Sequence, residues 1–175
     1  MTGDLNPLGS DEIIIVPYSN NWPILFEMEK KRLLDAEKNA FISIEHFGST
    51  AVPGMAAKPV IDIAGGMHSM KDADSIIPKL QELGYLFPAE FNATLINKRW
   101  LMRLDEDKKH RTHHLHLMIH NGDDWKNRLA FRDTLRASPE TAKEYENLKR
   151  DLANRFRNDR EGYSNAKKEF IARLG

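Results

Sequence analysis

The chain has 175 residues, with 26 Lys plus Arg against 26 Asp plus Glu and no cysteine. That length fits one domain with room for a sizeable core. Balanced charge excludes a bulk polyanion binder, and the missing thiols exclude disulfides, thiolate metal sites and a cysteine nucleophile. No apolar run approaches the roughly 20 residues that span a bilayer. Met1 to Asp11 also lacks the basic and apolar regions of a signal peptide. A cytoplasmic protein with no membrane contact is therefore expected.

Residues 1–12 read as a flexible lead-in to a single domain over 13–175. Ile13 to Val16 is β-branched and stopped by Pro17, as a short strand would be. Asn20 and Asn21 followed by Pro23 mark a helix start, and Trp22, Leu25, Phe26, Glu29, Leu33 and Ala36 continue it at helical spacing to about Lys38. Phe41 to Phe47 alternates as a strand, and Gly48 to Gly54 is turn-rich. Pro59 to Ala64 is apolar except for Asp62 and suits a central strand buried on both faces. Ser69 or Asp72 caps the next helix, which Gly84 ends. Tyr85 to Pro88 and Ala93 to Leu104 supply strand material, Asp105 to Arg111 a charged loop, and His113 to His120 another strand. From Trp125 onward the pattern is helical. One helix reaches Ala137, a second starts at Ser138-Pro139-Glu140, and a last one runs from Tyr163 after a break at Asp159 to Gly162. The expected class is α/β (α+β): a mixed sheet with packed helices and a helical part over about 125–175.

Chemistry concentrates in His46-Phe47-Gly48-Ser49-Thr50-Ala51-Val52-Pro53-Gly54 and in Ala57-Lys58-Pro59-Val60-Ile61-Asp62-Ile63. A glycine turn with Ser49 and Thr50 hydroxyls can cradle a phosphate, with Lys58 supplying charge. Asp62 in an apolar strand must be paired, hydrogen-bonded or metal-bound. One alternative is a structural Asp62, bonded to amides of the Gly48 to Gly54 loop. His114, His116 and His120 share a strand face and offer metal ligands or, when protonated, a phosphate grip. If one metal joined Asp62 to His116, their side chains would approach within about 4 to 5 Å. Arg103 and Arg111 are candidate anion clamps. Most charges of the final helices, Arg128 among them, read as a solvated face. Arg132 and Lys167 stand out beside the apolar Phe131 and Phe170, and Tyr163 has a hydroxyl that needs a partner if buried.

These two blocks, with Thr112-His113-His114-Leu115-His116-Leu117, Leu129-Ala130-Phe131-Arg132-Asp133 and Tyr163 to Ile171, resemble the GrpB-like family over about residues 13–172. That family is mostly functionally uncharacterised, and such a domain is sometimes fused to dephospho-coenzyme A kinase. The resemblance implies a nucleotidyltransferase-type fold. In that superfamily a Gly-Ser turn binds a nucleotide triphosphate, and two or three acids hold divalent metal, Mg²⁺ or Mn²⁺, for in-line transfer. Gly48 and Ser49 match the turn and Asp62 matches the first acid, but Ala64 stands at the second. His114 or His116 would then complete the metal site, with Glu45 a further helper. The resemblance thus implies nucleotide-binding and metal-binding residues and a small phosphate-containing ligand. The function it implies is metal-dependent nucleotidyl or phosphoryl transfer; the alternative is a non-catalytic nucleotide- or coenzyme A-related binding module. A nucleic-acid partner does not fit zero net charge without an aromatic-basic stripe.

Overall fold

The computed structural model describes residues 12–174, so the lead-in expected over 1–12 lies, apart from Glu12, outside the described residues. Its centre is a four-stranded mixed sheet of β1 (Ser43–Phe47), β2 (Ile61–Met67), β3 (Lys98–Leu104) and β4 (Arg111–Ile119), in the order β1-β2-β4-β3. β2 and β4 are parallel, and the two outer pairings are antiparallel. The apolar run around Asp62 is thus an interior strand, as its composition requires. It extends through Gly65 and Gly66, where Phe41 and Leu117 fill the space over one glycine and His120 and Trp125 fill it over the other.

Helices α1 (Asn21–Ala36) and α2 (Met70–Glu82) cover one face of the sheet. Trp22, Phe26, Leu33, Ile76 and Leu80 pack there on Ile44, Ile61, Ile63, Leu101, Leu115 and Leu117. The other face meets α4 (Asp123–Ala137), whose Trp125 and Leu129 join Phe47, Ala64 and Met118. Helices α5 (Pro139–Arg155) and α6 (Arg160–Leu174) continue from it and pack on the loop after β1 through Val52, Met55, Tyr145 and Phe170. A one-turn helix, α3 (Ala89–Ala93), precedes β3.

Several expectations change at this level. Ile13 to Val16 forms no strand, since its only ladder contact is the bridge of Val16 to Ala57. Leu86 likewise makes a single bridge, to Met102. Residues 89–93 are helical, so the strand expected from Ala93 begins at Lys98. Asn20 does not cap α1 with its side chain, because it already has helical angles; the Ser19 hydroxyl accepts from the Asn21 amide instead. Ser69 and Ser138 do cap α2 and α5. The last helix starts at Arg160, not Tyr163, because the Asp159 carboxylate accepts from the Gly162 amide and caps the turn.

Two histidines face the α1–α2 layer. His46 stacks on Phe26 at 4.8 Å, and its Nε2 lies 2.9 Å from the Thr50 hydroxyl. That hydroxyl donates to the Val60 carbonyl at 3.3 Å, so Nε2 of His46 carries the proton and donates. Burial lowers His46 and His113 to about 4 from the ordinary 6.5. In the unfolded chain both take up protons below about 6.5, while the folded chain resists until about 4. Their contribution is therefore complete above 6.5 and is lost as pH falls towards 4. Urea unfolding is expected to give a stability about 2 kcal/mol lower per histidine at pH 5 than at pH 7. Replacing His46 by Gln should remove its share of that slope, and an unchanged slope would refute the assignment.

Candidate functional site

Asp62 and His114 are register partners across the parallel β2–β4 pair, and His116 lies two residues further along the same face. The strands thus bring a carboxylate and two imidazoles together without help from loops. His114 Nδ1 is 3.1 Å from Asp62 Oδ1, and His116 Nε2 is 3.8 Å from the same oxygen. The three donor atoms all lie within 4.8 Å of one another, the only such cluster among the described residues. The Asp62 side chain is 28% exposed, against 13% and 14% for the two histidines, so the cluster is a partly buried recess with Asp62 its most exposed member. Burial resists ionisation of Asp62, but the facing imidazoles outweigh it and hold the carboxyl well below the usual range. Burial lowers both histidines, His116 to about 4, against the pull of Asp62. At neutral pH the cluster is one carboxylate with two neutral imidazoles, and Nε2 of His114 is buried without a hydrogen-bond partner among the described residues.

Gly48 backs the carboxylate. It has φ 73° and ψ −175°, a region open essentially to glycine alone. A Cβ there would stand 2.5 Å from Asp62 Oδ2. The glycine expected to admit a phosphate therefore admits the Asp62 carboxylate. Asp62 takes no hydrogen bond from the loop amides; its bonded partner is His114. Ser49 opens a short 3₁₀ turn and its half-buried hydroxyl bonds nothing among the described residues. Thr50, expected to face a ligand, is 1% exposed and spends its hydroxyl on His46 and Val60.

Positive charge surrounds this recess. Lys58 and Lys167 approach the Tyr163 ring at 5.2 and 4.3 Å, and neither makes an ion pair or hydrogen bond among the described residues. Burial and the neighbouring cations Lys167 and Arg160 lower Lys58 to about 7. Burial lowers Lys167 to about 8, opposed by the charge of Asp62. Arg111 lies over the Trp100 ring at 5.6 Å, and Trp100 in turn leans on His114 at 5.2 Å. Lys58, His110, Arg111 and Arg160 line a cavity of about 100 Å³ together with Glu12. Arg103 is not part of the cluster. It is the register partner of His113, on the opposite face, and pairs with Glu29 at 2.7 Å. His120 follows β4 and packs on Trp125 at 4.9 Å, away from Asp62. Arg132 bonds Glu45, Asp133 and the His46 carbonyl, so both it and Glu45 are committed to holding α4 on β1.

Sequence reasoning missed Arg128 and Lys149. Arg128 reaches from α4 over the Phe47 ring at 5.3 Å, beside His116, and its buried Nε has no partner among the described residues. Its spacing in the chain is that of a solvated helix charge, and only the sheet beneath distinguishes it. Lys149 donates to the Ala56 carbonyl at 2.6 Å, while Glu146 accepts from the Ala56 amide at 3.0 Å. These two side chains of α5 fix the loop ahead of β2.

Fold and site together define a mixed α+β protein carrying a carboxylate–imidazole recess with a cationic surround. Residues 12–175 match the family model described as GrpB protein. A relative named Glutamate-rich protein GrpB, from Alkalihalophilus pseudofirmus, is 38% identical over 163 residues, 91% of this chain and 92% of that protein. The crystal structure of conserved protein GrpB from Enterococcus faecalis superposes with a TM-score of 0.80 at 32% identity, covering 92% of this chain and 94% of that one. A dephospho-CoA kinase from Mycolicibacterium paratuberculosis is 36% identical over 74 residues, 41% of this chain and 18% of that protein. The chain belongs to the GrpB family. Among its described residues no helix is long and apolar enough to cross a membrane.

Proposed function

We propose that this protein is a metal-dependent nucleotidyl or phosphoryl transferase of the cytoplasm, acting on a small phosphate-bearing ligand, a nucleotide or a coenzyme A-related compound. One observation carries the reading. A carboxylate and two imidazoles converge on β2 and β4, and Lys58 and Lys167, which make no ion pair among the described residues, lie close enough to feel the Asp62 charge. Asp62, His114 and His116 would hold a divalent ion, which supplies a positive charge to neutralise phosphate oxygens. Lys58 and Lys167 bind the remaining phosphate oxygens, and Ser49 adds a hydroxyl donor. In the two-metal design a second acid would hold a second ion; here Lys167, and Lys58 once a bound phosphate favours its protonated form, supply charge in its place. The match to a dephospho-CoA kinase supports a coenzyme A-related ligand.

A second reading has its own observation. Ala64 occupies the second acid position and Glu45 is bound to Arg132, so no second carboxylate reaches Asp62 among the described residues. That favours a binding module that does not turn its ligand over. Calorimetric titration with ATP, GTP and coenzyme A, alone and with Mg²⁺, Mn²⁺ or Zn²⁺, tests both. Metal-dependent binding is expected, absent in Asp62→Ala and weakened about 10-fold or more in Lys58→Ala, the usual effect of losing a charged hydrogen bond. Affinity unchanged in a folded Asp62→Ala would sink the ion site. Binding with no product from any acceptor would favour the module.

A further inference from the structure

We infer that the ion held by Asp62, His114 and His116 is a single nitrogen-preferring transition ion of the zinc class, not Mg²⁺. The inference rests on the reading of Asp62 as an ion site and names the kind of ion. Two atoms bound to one zinc at about 2.0 to 2.1 Å can stand no more than about 4.2 Å apart. The separations of 3.1 Å from Asp62 to His114 and 3.8 Å from Asp62 to His116 both fall inside that limit, while the three donors as a set lie within 4.8 Å, so binding draws the two imidazoles together.

Donor chemistry selects among ions. Two imidazole nitrogens and one carboxylate suit Zn²⁺, Fe²⁺, Co²⁺ or Ni²⁺, whereas Mg²⁺ takes oxygen ligands in near-ideal octahedra. The residues that could make the set oxygen-rich do not. Ala64 offers no donor, and Glu45 is bonded to Arg132. Three protein ligands leave coordination open, the pattern of reactive rather than structural zinc sites. The other histidines do not compete: His113 faces the opposite layer, and His120 lies against Trp125.

The test is titration of the chelator-stripped full chain with zinc, cobalt(II) and magnesium, without any phosphate compound. One zinc per chain is expected, together with a visible cobalt band and no response to Mg²⁺ at the same concentration. Losing an outer partner of a metal ligand weakens binding by about 10- to 100-fold, so losing a ligand should exceed about 100-fold. Asp62→Asn and His116→Ala should each show that loss, and the cobalt band should collapse. Thermal unfolding reports whether each variant is folded, and His114→Ala replaces any that is not. Unchanged zinc affinity in folded variants would overturn the inference, as would Mg²⁺ binding as tightly as zinc. Zinc at these residues with no nucleotide bound would sink only the ligand reading above. Nucleotide binding supported by Mg²⁺ alone would sink only this one.

Discussion

Replacing Glu29 by alanine is expected to destabilise the fold by about 2 to 3 kcal/mol, because it strips the acceptor from a buried hydroxyl and the counter-charge from two part-exposed guanidinium groups. Glu29 is 3% exposed, and its two oxygens serve Arg103 at 2.7 Å, Arg32 at 2.9 Å and the Tyr85 hydroxyl at 2.8 Å. These donors come from β3, from α1 itself and from the segment after α2, so one carboxylate ties three parts of the chain. Without it, the two part-exposed guanidinium groups are left to water and the buried Tyr85 hydroxyl loses its acceptor. Glu29→Gln keeps an acceptor oxygen but no charge and should fall between wild type and alanine. Urea unfolding at pH 7 measures both. A loss below about 1 kcal/mol for alanine would mean that water replaces the carboxylate, and the network would then be incidental.

Gly48→Ala is the second large effect expected, and it separates fold from site. The backbone angles alone cost a residue with a Cβ about 1 to 3 kcal/mol. The added methyl also meets the Asp62 carboxylate at 2.5 Å, so Asp62 has to move or the loop has to rise. A stability loss of about 3 kcal/mol is expected, together with loss of zinc binding. The two readouts have different causes. If stability falls but zinc binding survives, the loop has yielded and Asp62 has kept its place. Stability within about 0.5 kcal/mol of wild type with binding intact would refute the claim that this turn requires glycine.

Much of the site was legible because it is local. Asp62 stood out as the one charge in an apolar strand, and strand periodicity put His114 and His116 on a common face. Gly48 next to Ser49 flagged the turn, although its service to Asp62 is visible only in three dimensions. What stayed hidden depends on separation along the chain. Arg103 read as an anion clamp because its partner, Glu29, lies 74 residues away on a helix. Glu29 looked like a polar exception on an apolar helix face, while Leu25, expected inside, is 41% exposed. Lys167 was noticeable beside Phe170, yet nothing in its spacing pointed to Lys58 or Tyr163. Helix charges such as Arg128 look alike in sequence, and only what lies underneath sorts them.

The grip of α4 and α5 on the loop after β1 has a consequence in time. Arg132 holds the His46 carbonyl, Arg136 the Ala51 carbonyl, and Glu146 and Lys149 the two ends of Ala56, across 86, 85, 90 and 93 residues. A ribosome delivers the loop first and its fasteners many seconds later, at about 5 to 20 residues per second. Through that interval the growing chain carries the loop without the side chains that fix it. The recess is therefore completed late in synthesis, so a stalled or shortened chain can own every residue of the Asp62 cluster and still lack its shape.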